Sequence, residues 1–322
     1  MSKNNFIQES FAQIQAEVSK SIIGNAQALE ALFIATLCKG HVLLEGMPGL
    51  AKTMLAKTFA KTVDLEFGRV QFTPDLLPSD LTGTLVYQPK DGTFTTRKGP
   101  IFTGVLLADE INRAPAKVQS ALLQSMEERA VTLGDTTFAL DQYFTVIATE
   151  NPIETEGTYP LPEAQLDRFL LKCILDYPSA EEEANITKAY GNSILQDPKI
   201  QKVLNHANLL EMSKEVDGIF LEDAVHEYIV KLVQSSRPSQ SKITDIKEFL
   251  AFGASPRATL SLVKISKVLA RLNGRDYVIP DDVKKYFKPV MNHRIKLSYA
   301  AWSEGVTADT ILDTILDSTE SP

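Results

Sequence analysis

Three groups of residues in this chain have the types and spacing to do chemistry on a phosphate. The first is Gly46-Met47-Pro48-Gly49-Leu50-Ala51-Lys52-Thr53, which follows the apolar run His41–Glu45 and precedes a helical pattern read as starting at Thr53. A loop between a buried strand and a helix can turn its backbone N–H groups onto a polyphosphate, aided by the positive end of the helix. Gly46, Pro48, Gly49, Leu50 and Ala51 would form that cradle, with Met54 in the first turn behind it. Lys52 then reaches the β- and γ-phosphates, and the Thr53 hydroxyl ligates Mg²⁺. Ala51 stands where such loops usually carry glycine. Alanine suits the helical backbone of a first-turn residue, so the loop is read as intact.

The second group is Val105–Glu110, VLLADE. A buried strand ending in two acids puts both carboxylates at the sheet edge where ligands bind in open α/β folds. Asp109 would hold Mg²⁺ through its bound water, and Glu110 would orient and deprotonate an attacking water. The plainer reading is that a strand must end in something polar; the loop upstream favours the chemical one. The third group, Thr149-Glu150-Asn151, ends the run Tyr143–Thr149. The Asn151 amide could bond both a γ-phosphate and the attacking water, or simply open a turn before Pro152.

Two arginines complete the set. Arg168, in Leu166-Asp167-Arg168-Phe169, could offer its charge to a neighbouring subunit's ATP, or form an ordinary salt bridge. Arg257 follows Ser255-Pro256 at a helix start, where a cation opposes the helix dipole by up to ~1 kcal/mol. A bound triphosphate would offset that cost; the alternative is a solvent-screened surface arginine. Cys38, Cys173 and His41 lie in apolar stretches and read as core or strand-edge residues.

Positioning these groups requires a parallel sheet. His41–Glu45, Val105–Ala108, Tyr143–Thr149 and Phe169–Leu175 are apolar runs between helical patterns, and Val70–Phe72 is a fifth candidate. Such runs are typical of strands covered on both faces. Two hairpins interrupt the rhythm. Leu85–Gln88 and Thr93–Arg97 flank Pro89-Lys90-Asp91-Gly92, and Val131–Leu133 and Thr136–Leu140 flank Gly134-Asp135. They are either surface decoration or a grip on a partner. After Pro178 the pattern turns helical, with helix starts at Ser255-Pro256 and Pro280-Asp281-Asp282 and a polar loop over Gln234–Lys242. The expected organisation is an α/β nucleotide-binding core over 1–178 and a smaller all-α domain over 179–322.

Composition narrows the function. Apolar residues make up 44% and charged residues 23% of 322, an ordinary globular balance. A net charge of −8 gives no broad attraction to nucleic acid or anionic membrane. Two cysteines are too few for a disulfide framework, and the four histidines show no metal-ligand spacing. Met1–Ser10 lacks the apolar core of a signal peptide. The apolar stretch Ala31–Cys38 is far shorter than the ~20 residues of a membrane span. A cytoplasmic location is the expectation.

Together these residues resemble the AAA+ ATPases, and more narrowly the MoxR family, from Ile22-Ile23-Gly24 to His293-Arg294. The resemblance is carried by GMPGLAKT, by QFTPDLLPSDLTG (71–83) and by ADEINRAPAKVQSALLQSMEE (108–128). It continues through ATENP (148–152), LPEAQLDRF (161–169) and GASPRA (253–258). It implies a P-loop core with a five-stranded parallel sheet followed by a helical lid. Lys52 and Thr53 are similar to Walker A, Asp109 and Glu110 to Walker B, and Asn151 to sensor 1. Arg168 resembles the arginine finger and Arg257 the sensor 2 arginine. Ile23 and Gly24 fall among the nucleotide-binding positions, and Ala51 is usual in this family. Glu150 stands where the family often has glutamine. Residues 71–100 resemble the helix 2 insert, and 130–140 the hairpin before sensor 1.

The resemblance further implies ATP and Mg²⁺ as cofactors, ring-shaped hexamers, and chaperone-like remodelling of protein clients. Those clients often carry a von Willebrand factor A domain. The competing readings are a nucleotide-gated scaffold with negligible turnover, and a chelatase- or motor-type subunit. The acidic balance weighs against DNA as the partner of such a motor.

Overall fold

The computed structural model describes residues 5–153, 157–191 and 198–322. The first helices are α1 (Phe6–Val18) and α2 (Ala26–Leu37), followed by strand β1 (Val42–Gly46), helix α3 (Lys52–Thr62) and strand β2 (Phe67–Gln71). Next come α4 (Pro78–Thr82), β3 (Gly83–Gln88), β4 (Thr93–Lys98), β5 (Val105–Asp109), α5 (Ala116–Glu128), β6 (Ala130–Leu133), β7 (Thr136–Ala139) and β8 (Thr145–Glu150). The chain continues with α6 (Glu163–Leu166), β9 (Leu171–Leu175), α7 (Ala180–Tyr190), α8 (His206–Asp217), α9 (Asp223–Ser235), α10 (Thr244–Lys247) and β10 (Leu250–Phe252). It ends with α11 (Pro256–Leu272), α12 (Pro280–Met291), β11 (Lys296–Leu297), α13 (Tyr299–Glu304) and α14 (Ala308–Ser318).

By packing, the described chain forms two compact units. The first holds Ser10–Leu161 and Cys173–Leu209; the second holds the residues up to Glu9, Pro162–Lys172 and Leu210–Pro322. Arg168 therefore belongs to the second unit.

The first unit is built on a five-stranded sheet in the order β2-β5-β8-β1-β9. The pairings β2–β5, β5–β8 and β8–β1 are parallel. Val42, Leu43 and Leu44 of β1, Leu106 and Leu107 of β5, and Val146 and Ile147 of β8 are fully buried. That burial explains the unbroken apolar runs, because both faces of these strands meet other side chains. Register sets the site. Leu44 pairs with Thr149, Ala108 with Ala148, and Gln71 with Asp109. The carboxyl ends of β1, β5, β8 and β2 thus finish level with one another, at the edge where open α/β sheets bind ligands. Strand β2 begins at Phe67, earlier than the expected Val70, so it includes Arg69. The two hairpins are present as β3–β4 and β6–β7.

The second unit is mainly helical. Val225, Ile229 and Leu232 of α9, Leu262, Ile265 and Leu269 of α11, and Val283, Phe287 and Val290 of α12 are all buried. Their three- and four-residue spacing is the apolar stripe of a packed helix. Beside the helices lies a short antiparallel ribbon, β10–β11, which the all-helical expectation did not include. Its second strand is only two residues long, too short to show an alternating pattern. Helix α11 starts where expected: Ser255 caps it, its Oγ accepting from the Arg257 N–H at 3.0 Å, with Pro256 at the first helical position.

Candidate functional site

Strand β1 delivers the chain to Gly46, and the loop to α3 contains two left-handed residues. Gly49 has φ 86°, a conformation glycine takes at no steric cost. Ala51 has φ 55° and ψ 23°, which corrects the expectation of helical backbone there. An alanine in this region costs roughly 1–2 kcal/mol, the physical reason that glycine is the usual residue at this point of such loops. Helix α3 begins at Lys52, one residue before the expected start. The Lys52 ammonium donates to the Gly46 carbonyl at 2.6 Å, folding it back over its own loop. Partial burial pushes the Lys52 pKa down, and Asp109, Glu110 and Glu45 pull it back up.

Pro48 to Met54, Asp109, Glu110, Thr149 and Asn151 line one cleft of about 380 Å³. Residues from three separate stretches of sequence thus meet in one place. The Thr149 hydroxyl organises the two acids, donating to Asp109 Oδ1 at 2.7 Å and accepting from the Glu110 N–H at 2.8 Å. Glu110 sits in the left-handed region, φ 56° and ψ 53°. Strain of that kind persists only where the surroundings over-determine it, and it clusters at functional sites. Asn151 is buried, and its Oδ1 accepts from the Ile153 N–H at 3.2 Å. It lines the cleft and opens the turn at once, so its two sequence readings are not exclusive.

Strand β2 supplies the partners of the acids. Arg69 donates to Asp109 Oδ2 through Nη2 at 2.8 Å and Nε at 3.2 Å. The same Nη2 donates to Gln71 Oε1 at 2.9 Å, and Gln71 Nε2 donates to Glu110 Oε2 at 3.0 Å. Arg113 meets Glu110 Oε2 at 2.8 Å. The result is one continuous chain of contacts from Thr149 through Asp109, Arg69, Gln71 and Glu110 to Arg113.

A second cleft, of about 460 Å³, shares Gly49–Ala51 and Met54 with the first. Ile22, Ile23, Gly24, Leu50, Ala51 and Met54 line it, together with Cys173–Pro178, Ile186 and Tyr190. Its apolar walls suit a flat heteroaromatic base. Gly24 is favoured there by its backbone, with φ 81°; a Cβ would meet only the movable tip of the Glu182 side chain, at 2.8 Å. The Tyr190 hydroxyl donates to the Ser21 carbonyl at 2.6 Å, tying α7 to this wall. Burial and nearby Asp176 push the Cys173 thiol up to about 11, so it stays protonated and acts as lining. His41 is buried between backbone groups, Nδ1 accepting from the Val146 N–H at 3.0 Å and Nε2 facing the Met126 carbonyl at 3.3 Å. It is a core residue, as its sequence context indicated.

Arg168 and Arg257 lie in the second unit, joined through Asp167 and Ser255. Asp167 Oδ2 accepts from Ser255 Oγ at 2.8 Å, and Asp167 Oδ1 accepts from Arg294 Nε at 2.8 Å.

Comparison with known proteins places the chain in a family. Residues 41–171 match the ATPase family associated with various cellular activities (AAA), and residues 242–315 match the AAA lid domain. The chain is 45% identical to Chaperone MoxR1 of Mycobacterium tuberculosis, over 95% of this chain and 81% of that one. It belongs to the MoxR family of AAA+ ATPases. YeaC of Bacillus subtilis is 41% identical over 95% of this chain and 92% of its own. Protein MoxR of Paracoccus denitrificans is 32% identical over 90% and 89%. A solved protein of Cytophaga hutchinsonii superposes with a TM-score of 0.92 at 43% identity, covering 99% of this chain and 96% of that one. The α/β core with a helical lid is thus the fold of this MoxR-family chain.

Several residues at the site were not singled out in the sequence. Arg69 falls outside the strand expected over Val70–Phe72, and Gln71, inside it, carries no chemical signal of its own. The usable signal was their two-residue spacing, which puts both on one face of a strand. Arg113 and Thr149 fall within the segments 108–128 and 148–152, where order alone gives them no role. Tyr177, Ile186 and Tyr190 gave no local signal. Among the described residues, no group of three or more His, Cys, Asp or Glu gathers to hold a metal. The Thr53 hydroxyl and the Asp109 carboxylate are instead the sparse oxygen donors that suit Mg²⁺, a cation usually held by one or two carboxylates plus substrate phosphates. No helix among the described residues is long and apolar enough to cross a membrane.

Proposed function

We propose that this chain hydrolyses ATP with Mg²⁺ and works as a ring-shaped oligomer, a hexamer by family resemblance, that remodels client proteins. The observation that carries the reading is the convergence of the phosphate loop with Asp109, Glu110, Thr149 and Asn151 in one cleft at the carboxyl edge of the sheet. A larger cleft lined by Ile22, Ile23 and Gly24 adjoins it through Gly49–Ala51 and Met54, which line both.

On this reading the adenine occupies the apolar cleft and the triphosphate lies along Pro48–Thr53. Lys52 leaves the Gly46 carbonyl for the β- and γ-phosphates. Thr53 and Asp109 would hold Mg²⁺, which when bound would supply positive charge against the phosphate oxygens. Glu110 accepts a proton from the water whose oxygen attacks the γ-phosphorus, and the β–γ bond breaks to leave ADP and phosphate. Asn151 orients that water. Arg168 stabilises the charge on a neighbouring subunit's nucleotide, and Arg257 contacts the triphosphate from the lid. Location in the cytoplasm and clients bearing a von Willebrand factor A domain complete the proposal. The name Chaperone MoxR1 of the Mycobacterium relative supports the remodelling part.

The test is ATP turnover per subunit against protein concentration, for wild type, Glu110→Gln and Arg168→Ala. The expected result is activity that rises with concentration and falls by about 10²-fold or more in both variants. Turnover independent of concentration, with Arg168→Ala unaffected, would remove the shared site and the ring. Tight ATP binding with no turnover in any sample would favour the nucleotide-gated scaffold.

A further inference from the structure

Arg294 is among the most completely used side chains of the second unit. It is 8% exposed overall, and its pKa is pulled down by burial and pushed up by Asp167. Nε donates to Asp167 Oδ1 at 2.8 Å. Nη1 donates to the carbonyls of Leu170 at 3.1 Å and Val290 at 2.6 Å. Nη2 donates to the carbonyls of Phe169 at 2.5 Å and Asp167 at 3.3 Å. The next residue back, His293, also faces the Phe169 carbonyl, at 3.1 Å. A buried guanidinium is costly unless its donors are matched, so the 167–170 backbone cannot shift without leaving a charge unpaired.

Anchoring Arg294 needs only one oxygen of Asp167. The other accepts from Ser255 Oγ, and Ser255 Oγ in turn accepts from the Arg257 N–H. The residue beside Arg168 is therefore two hydrogen bonds from the backbone of Arg257, across 88 positions of sequence. We infer that Asp167 is a positioning residue that, through Ser255 and Arg294, locks the Arg168 segment and the Arg257 helix into one piece. The two arginines then keep a fixed mutual geometry and move with the second unit as a pair. This rests on the reading of Arg168 and Arg257 as arginines that meet nucleotide.

The discriminating variant is Ser255→Asp. Aspartate caps a helix as well as serine does, so α11 keeps its start. It cannot donate to Asp167, however, and it sets a second negative charge against it. Ser255→Thr keeps both the cap and the donor and serves as the rescue. In the full-length chain, Ser255→Asp is expected to lower turnover on the order of tenfold to a hundredfold, with wild-type rates in Ser255→Thr. Combined with Arg168→Ala it should lose no more than Arg168→Ala alone, because both act through one group. Backbone hydrogen exchange gives a readout independent of turnover. The Arg168 and Phe169 amides, bonded to Gln165 and Leu166 carbonyls at 3.2 and 3.0 Å, are expected to exchange faster in Ser255→Asp. Unchanged exchange at those amides, or losses that multiply in the double variant, would overturn the inference. Full turnover in both Arg168→Ala and Arg257→Ala would instead remove the arginine reading, leaving exchange to decide the link.

Discussion

Two aspartate–arginine pairs in this protein have the same closest distance and opposite characters. Arg69 meets Asp109 at 2.8 Å with its side chain 48% exposed; Arg294 meets Asp167 at 2.8 Å with its side chain 2% exposed. Arg69 shares its remaining reach with one glutamine, whereas Arg294 spends its fork on four carbonyls besides the carboxylate. An exposed guanidinium trades protein contacts for water at little cost, and a buried one does not. The first pair is thus exchangeable, which suits the cation-holding role proposed for Asp109. The second is permanent, suited to holding a segment still. Distance alone would have ranked them as equals.

The sharpest way to break this comparison is to remove each arginine in turn. Arg294→Met leaves Asp167 and several carbonyls unpaired and is expected to cost about 3–5 kcal/mol of stability. Arg69→Met is expected to cost at most about 1 kcal/mol. Urea denaturation measures both; equal losses would show that burial does not separate the pairs.

A smaller effect concerns the buried histidines, His41 in the first unit and His293 in the second. Burial and Arg129 push His41 down to about 3, and burial and Arg294 push His293 well below its usual value. The folded protein therefore resists protonating them, while the unfolded chain takes up those protons from about pH 6.5 downward. Their contribution is intact above about pH 6.5 and is lost as pH falls towards the folded value. At pH 5 the expected loss from His41 is about 2 kcal/mol. His41→Gln should flatten the pH 5–6.5 slope of stability, whatever its effect at neutral pH. A slope unchanged by the substitution would mean that other groups set the acid limit.

The smallest expected effect is on cation affinity. With Arg69→Met, Asp109 loses its resident partner, and the Mg²⁺ concentration for half-maximal nucleotide binding should fall a few-fold, roughly 1 kcal/mol or less. Titration by fluorescent nucleotide, without reference to turnover, reads this directly. A weaker requirement for the arginine than for the metal sharpens the contrast with Arg294; tighter Mg²⁺ binding in wild type would reverse it.

What the sequence disclosed was local. The loop between β1 and α3, the strand ending at Asp109 and the Ser255 cap each occupy a few consecutive residues whose local structure follows from order alone. What it hid was pairing over distance. Arg69 meets Asp109 across 40 positions, and Arg294 meets Asp167 across 127. Parallel strand register and helix packing set those meetings, and no short motif encodes either. Ala51 was misread for a different reason: φ is a property of the folded loop, and an alanine there gives no outward sign of its left-handed backbone. The narrow ribbon β10–β11 escaped because two residues carry no period.

The discontinuity of the second unit has a consequence for synthesis. A chain emerging from the ribosome completes the phosphate loop and both acids before position 111, but Asp167 waits for Arg294, which is made 127 residues later. Until then the segment bearing Arg168 lacks its main anchor. A product truncated anywhere in between carries the surfaces proposed to grip a nucleotide, yet is missing the clasp that steadies its arginines. On the proposed reading, order of manufacture separates a chain's ability to serve itself from its ability to serve a neighbour.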